Sequence, residues 1–169
     1  HFQLDMQKHE LILDLIKDFK VGAEVGVLKG ELSKQILSGW KGKFYLVDAW
    51  RHIEGLKDFN NGDNNVQLNN MAHTFMNVYN FGERVCIIRE MSVEASKLFS
   101  DNSLDFIYLD AGHDKKSVFA DLKAWYPKIR EGGLIMGDDY FDGLFHFENT
   151  LYDSTTLVEV KSTVDEFAK

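Results

Sequence analysis

The 169-residue chain carries 27 Asp and Glu against 19 Lys and Arg, a net charge of −8, and is 44% hydrophobic and 13% aromatic. That composition excludes a disordered tail, and the acidic balance argues against general electrostatic binding to nucleic-acid phosphates or anionic lipid, leaving open a local basic patch. The single cysteine, Cys86, excludes an internal disulfide and suits a reducing, cytoplasmic compartment, and no apolar run approaches the ~20 residues that span a bilayer.

Length favours one domain over residues 1–169. In chain order, helical spacing of apolar residues predicts a first helix over Leu4–Phe19. Ala23–Val27 reads as a buried strand and Glu31–Leu37 as a helix closed by Ser38-Gly39. A strand over Lys43–Ala49 follows, then an asparagine-rich stretch, Asn60–Asn70, read as a mobile loop running into a helix over Asn65–Tyr79. The remaining expectations are a strand over Arg84–Arg89, a helix over Val93–Phe99, a strand over Leu104–Leu109, a helix over Lys116–Ile129, a strand over Gly133–Gly137 and a last helix from Val160. Residues 141–157 read as a loop, with His146 among them. Five apolar strands alternating with helices predict a doubly wound, mostly parallel Rossmann-like α/β sheet. In such a sheet the strand carboxyl ends share one edge, where ligands bind.

Polar residues at those ends are the candidate site. Strand one ends in Glu24-x-Gly26-x-x-x-Gly30, where glycines allow close backbone approach and the next helix offers free N–H groups. The dinucleotide fingerprint G-x-G-x-x-G is absent, which argues against a dehydrogenase. Strand two ends in Asp48, suited to ribose hydroxyls, with Trp50 beside it for an adenine face or for the core. Ser92, after strand three, suits an adenine contact or a helix cap. Asp110 and His113 end strand four, and Asp138 and Asp139 end strand five. Carboxylates so crowded would raise one another's pKa unless a divalent cation such as Mg²⁺ sits among them; caps and loop contacts are the plainer alternative.

The segments AEVGVLKGELS, FYLVDAW, VCIIREMSVEA, LDFIYLDAGHDKKSVFADLKAWYPKIREGGLIMGDDY and VKSTVDEFA resemble, in that order, the class I S-adenosylmethionine-dependent methyltransferases, and within them the methyltransferase 24 family with its sugar O-methyltransferases. The resemblance implies that Glu24 and Gly26 line the methionyl part of S-adenosylmethionine, with Gly30 and Ser33 at the following helix. It further implies that Asp48 holds the ribose, Ser92 meets the adenine, Asp110, Asp138 and Asp139 hold Mg²⁺, and His113 is the base. The expected function is O-methylation of a small hydroxylated acceptor. A metal-dependent hydrolase and a non-catalytic S-adenosylmethionine-binding domain are the alternatives. The family's sheet ends in an antiparallel hairpin after the VDEFA helix. The sequence shows none, so a shortened C-terminal part and an open sheet edge, compatible with a homo-oligomer, are expected.

Overall fold

The computed structural model describes residues 7–56, 58, 60–146 and 155–169. Five parallel strands form the centre: β1 (Val21–Val25), β2 (Lys43–Asp48), β3 (Val85–Arg89), β4 (Leu104–Leu109) and β5 (Ile129–Gly137). Their order is β3-β2-β1-β4-β5, so the winding direction reverses between β1 and β4. The expected doubly wound sheet is therefore present.

Helices cover both faces because successive strand side chains point opposite ways. On one face α1 (Lys8–Ile16), α2 (Glu31–Gly39) and α3 (Asn64–Val78) pack Ile16, Ile36, Leu37 and Val78 onto Phe44, Leu46 and Phe106. The Trp40 and Phe106 rings meet edge-on there, with centroids 5.2 Å apart. On the other face α4 (Ser92–Ser96) and α5 (Lys115–Trp125) pack Ala95 and Trp125 onto Ala23, Val25, Val47 and Ile107. Pro127 lies in the 3₁₀ turn after α5, so the helix ends at Trp125 rather than at the expected Ile129. The helix α1 is shorter than expected, and Leu4 lies outside the described residues.

At the amino ends of the strands, Asp105 ties three elements together. Its Oδ2 accepts from the Lys20 and Val21 N–H groups at 2.6 and 2.8 Å, and its Oδ1 accepts from Arg130 Nε. Although partial burial opposes it, these bonds hold the Asp105 carboxyl below its ordinary pKa.

Two sequence expectations need correction. The asparagine-rich stretch is mostly helix: Asp63 caps α3 by accepting from the Asn65 and Val66 N–H groups. Ahead of it, Asn61 braces the turn through Ile53 and Leu56, donating to both carbonyls. The 141–157 segment is not all loop either. It contributes β6 (Asp142–His146) and most of β7 (Thr155–Glu159), an antiparallel pair separate from the main sheet. The pair precedes α6 (Val160–Phe167), and among the described residues no strand joins the free side of β5. Val158 and Val160 anchor it by packing on Val118 and Leu122 of α5.

Candidate active site

The topological reversal leaves a cleft of about 790 Å³ over the carboxyl ends of the strands, where open α/β sheets bind ligands. Gly26, Asp48, Ser92 and Asp110 line it; Glu24, Gly30, Ser33 and Trp50 do not.

The turn after β1 is built on Gly26, at φ +89°, with its backbone against that of Asp110. Asp48 holds this turn in place. Its Oδ2 accepts from the Val27 and Leu28 N–H groups, each at 2.9 Å, and its Oδ1 from Trp50 N–H at 2.9 Å. Leu28 consequently sits at φ +56°, a conformation costly for a leucine and kept by these bonds plus two onto its carbonyl, from Trp50 Nε1 and Thr74 Oγ1. Asp48 thus organises the turn from within the cleft wall.

Trp50 departs from the ligand-facing expectation. It is fully buried, its backbone at φ +38° turns it inward, and it packs in the core with no ring face left for an adenine. Glu24 and Ser33 lie beneath the turn, with Ser33 Oγ donating to Glu24 Oε2 at 2.5 Å. Gly30, at φ +72°, precedes the first turn of α2. Burial pushes the Glu24 carboxyl up to about 8 against the opposing Ser33 bond. The folded protein therefore binds one more proton than the unfolded chain between the ordinary glutamate range and pH 8, and stability from this group declines as pH rises through that window. Glu24→Gln keeps an oxygen for Ser33 and removes the titration. Its melting temperature is expected to exceed wild type by roughly 5 °C at pH 8.5 and to match it near pH 4.5 in a thermal scan.

Ser92 opens α4. Its hydroxyl donates to Asp121 Oδ1 at 2.5 Å and accepts from Trp125 Nε1 at 2.9 Å, so the hydroxyl is committed within the protein. Asp121, missed in the sequence, is pushed up to about 6 by burial.

An acidic group adjoins the cleft, reaching it through Asp58 and Asp110, which line it, and centring on His113, which is 8% exposed and does not line it. Its Nδ1 lies 2.9 Å from Asp58 Oδ2, and its Nε2 lies 3.0 Å from Asp139 Oδ2 and 3.6 Å from Asp110 Oδ1. No hydrogen bond satisfies Nε2. The carboxylates of Asp110 and Asp58 beside the ring outweigh burial and hold the imidazole up to about 10. Asp110, His113 and Asp139 each offer a ligand atom, all within 4.8 Å of one another. The two carboxylates, converging beside the buried ring, fit a divalent cation, whose charge would relieve their crowding. Asp138 is not part of this group: its Oδ2 pairs with Lys8 Nζ from α1. The cause is local, since Asp139 adopts φ +53° and the two neighbouring carboxylates turn to different partners.

Sequence reasoning missed Asp58 and Lys8. Asp58 sits in an irregular loop where no periodicity marks it, and Lys8 looks like any surface charge of a helix until the fold brings it to β5.

The methyltransferase 24 family model, a methyltransferase domain, matches residues 23–140. A Staphylococcus aureus chain described as a caffeoyl-CoA O-methyltransferase is 21% identical with a TM-score of 0.60, over 81% of this chain and 59% of that one. The O-methyltransferase of Bacillus cereus in complex with SAH is 19% identical with a TM-score of 0.59, over 82% and 59%. An rRNA methylase of Streptococcus thermophilus is 10% identical with a TM-score of 0.56, over 92% and 96%. The chain thus spans about 59% of the length of the first two structures. No curated protein sequence matches it. Among the described residues no helix is long and apolar enough to cross a membrane. The match runs from β1 to the aspartate pair after β5, the stretch that builds the cleft, and the chain belongs to the methyltransferase 24 family of class I methyltransferase domains.

Proposed function

We propose that the protein is an S-adenosylmethionine-dependent O-methyltransferase that uses a divalent cation, Mg²⁺ in the first instance, on a small hydroxylated acceptor. The observation that carries this reading is His113, pinned through Nδ1 by Asp58 and presenting Nε2 to the carboxylates of Asp110 and Asp139, with Asp58 and Asp110 lining the cleft. S-adenosylmethionine, when bound, supplies a methyl group already activated on a sulfonium. Gly26 lets it approach the backbone, Asp48 accepts from its ribose hydroxyls, and the start of α4 at Ser92 meets its base. A divalent cation held by Asp110 and Asp139, when bound, supplies positive charge that makes the acceptor hydroxyl more acidic.

The protein's own part is placement and proton removal. Asp58 fixes the imidazole tautomer with hydrogen on Nδ1, so that Nε2 is the accepting atom. While the carboxylates are uncompensated, they hold the proton on the ring; cationic charge at Asp110 and Asp139 would offset their share of that hold, leaving the share of Asp58 at Nδ1. The acceptor O–H bond breaks with its proton passing to Nε2. S-adenosylmethionine, when bound, would supply the methyl group to the acceptor oxygen with S-adenosylhomocysteine as the leaving group. A hydrolase built on the same acidic group would leave the Gly26 to Ser92 end of the cleft without a role. The small-molecule acceptor is favoured by the −8 net charge, which opposes a polyanionic substrate.

Calorimetry tests the reading. S-adenosylhomocysteine is expected to bind with micromolar affinity, and methyl transfer to a panel of hydroxylated acceptors is expected to stop on chelation and return with Mg²⁺. Absence of S-adenosylhomocysteine binding would sink it.

A further inference from the structure

The β6–β7 pair has an unusual outer face. Along its strands, Gly143 and Val158 are partners and Val158 is buried against α5, so the next pair, Leu144 and Leu157, faces the other way. A strand face turned to solvent normally carries polar residues. Here both cross-strand partners are leucines, 63% and 49% exposed. Both also line the cleft that Asp110 and Gly112 line, together with Ile53 and Leu56 of the loop after β2. The pair is also fixed relative to the reacting end. Glu159 N–H at the end of β7 donates to the His113 carbonyl at 2.9 Å, and Lys115 N–H donates to Glu159 Oε2 at 3.1 Å.

We infer that Leu144 and Leu157 form the acceptor-recognition wall, and that the acceptor carries an apolar body in addition to the hydroxyl it presents to His113. The inference rests on the methyltransferase reading above and sharpens its substrate class. A free, fully hydroxylated sugar would leave its hydroxyls unpaired against leucine, whereas an aryl or alkyl group covers both side chains and removes apolar surface from water. Continuity of the leucines with the cleft is what assigns them to a small molecule.

Two matched pairs test it: methyl against phenyl β-glucoside, and catechol against 4-tert-butylcatechol. In the pair that is turned over, kcat/KM is expected to favour the apolar-substituted member by about tenfold, about 1.4 kcal/mol. In Leu144→Ser/Leu157→Ser the preference is expected to vanish through KM, with S-adenosylhomocysteine affinity unchanged. The two side chains are exposed enough for serine to replace them without opening the core. Equal kcat/KM within the pair, retention of the preference in the double variant, or turnover of none of the four while S-adenosylhomocysteine binds would each overturn the inference. Failure of wild type to bind S-adenosylhomocysteine would instead overturn the methyltransferase reading.

Discussion

Gly26→Ala is expected to abolish measurable S-adenosylhomocysteine binding and to lower stability by about 3 kcal/mol or more. A Cβ at this position would lie 1.9 Å from the Asp110 carbonyl oxygen and 2.8 Å from Ala111 Cα, and both are backbone atoms that no rotamer change can move. The residue also sits at φ +89°, which an L side chain resists. Relief requires β1 and β4 to part at their carboxyl ends, and those ends are joined by the Asp110 N–H bond to the Val25 carbonyl at 2.8 Å. The same movement displaces the Asp48 bonds to Val27 and Leu28, so the cleft loses its shape together with its anchor. Chemical denaturation and calorimetry on one preparation check both effects. A variant of wild-type stability that binds S-adenosylhomocysteine normally would show that the turn is looser than its contacts indicate.

His113→Ala is expected to lower turnover by roughly 10²–10⁴-fold while leaving Mg²⁺ affinity within about twofold. The expectation separates two roles that the geometry brings close together, because Nε2 stands near both Asp110 and Asp139. As the base, His113 contributes to rate and not to metal retention. As a ligand it contributes to both, and calorimetry with Mg²⁺ would then register a tenfold or greater loss. Asp139→Asn should do the opposite, weakening Mg²⁺ binding first. Asp58→Asn is a positioning change: it removes the carboxylate at Nδ1, and kcat is expected to fall with KM unchanged. Wild-type turnover in His113→Ala would remove the histidine from the mechanism.

The main sheet was legible because its strands are short, continuously apolar and separated by amphipathic helices, as FYLVDA and LDFIYL illustrate. The antiparallel pair was not. DGLFH contains a glycine and TTLVE holds only two apolar residues between threonines and a glutamate, so neither run stands out as a buried strand, and their packing rests on α5. At the site, sequence position announced which residues reach the strand ends but not which way they turn. Trp50 sits two residues beyond Asp48 and looked available to a ligand, yet the left-handed backbone at that point sends it into the core. Asp138 and Asp139 looked like a matched pair, and one unusual φ divides them between Lys8 and His113. Asp58 reaches His113 across 55 positions of sequence, a distance that no local pattern bridges.

The two ends of β1 make opposite demands on the solution around them. Asp105 clasps the beginning of the strand only while it is ionised, so its hold weakens as pH falls through a value already below the ordinary carboxylate range. Glu24, near the strand's other end, rests easily only while it carries its proton. The strand is thus fully seated across an interval bounded by acid on one side and mild alkali on the other. Beyond the acid bound the molecule loosens at the pole remote from its cleft. Beyond the alkaline bound the strain falls directly beneath the turn that shapes the cleft, so alkali should impair ligand binding before acid does.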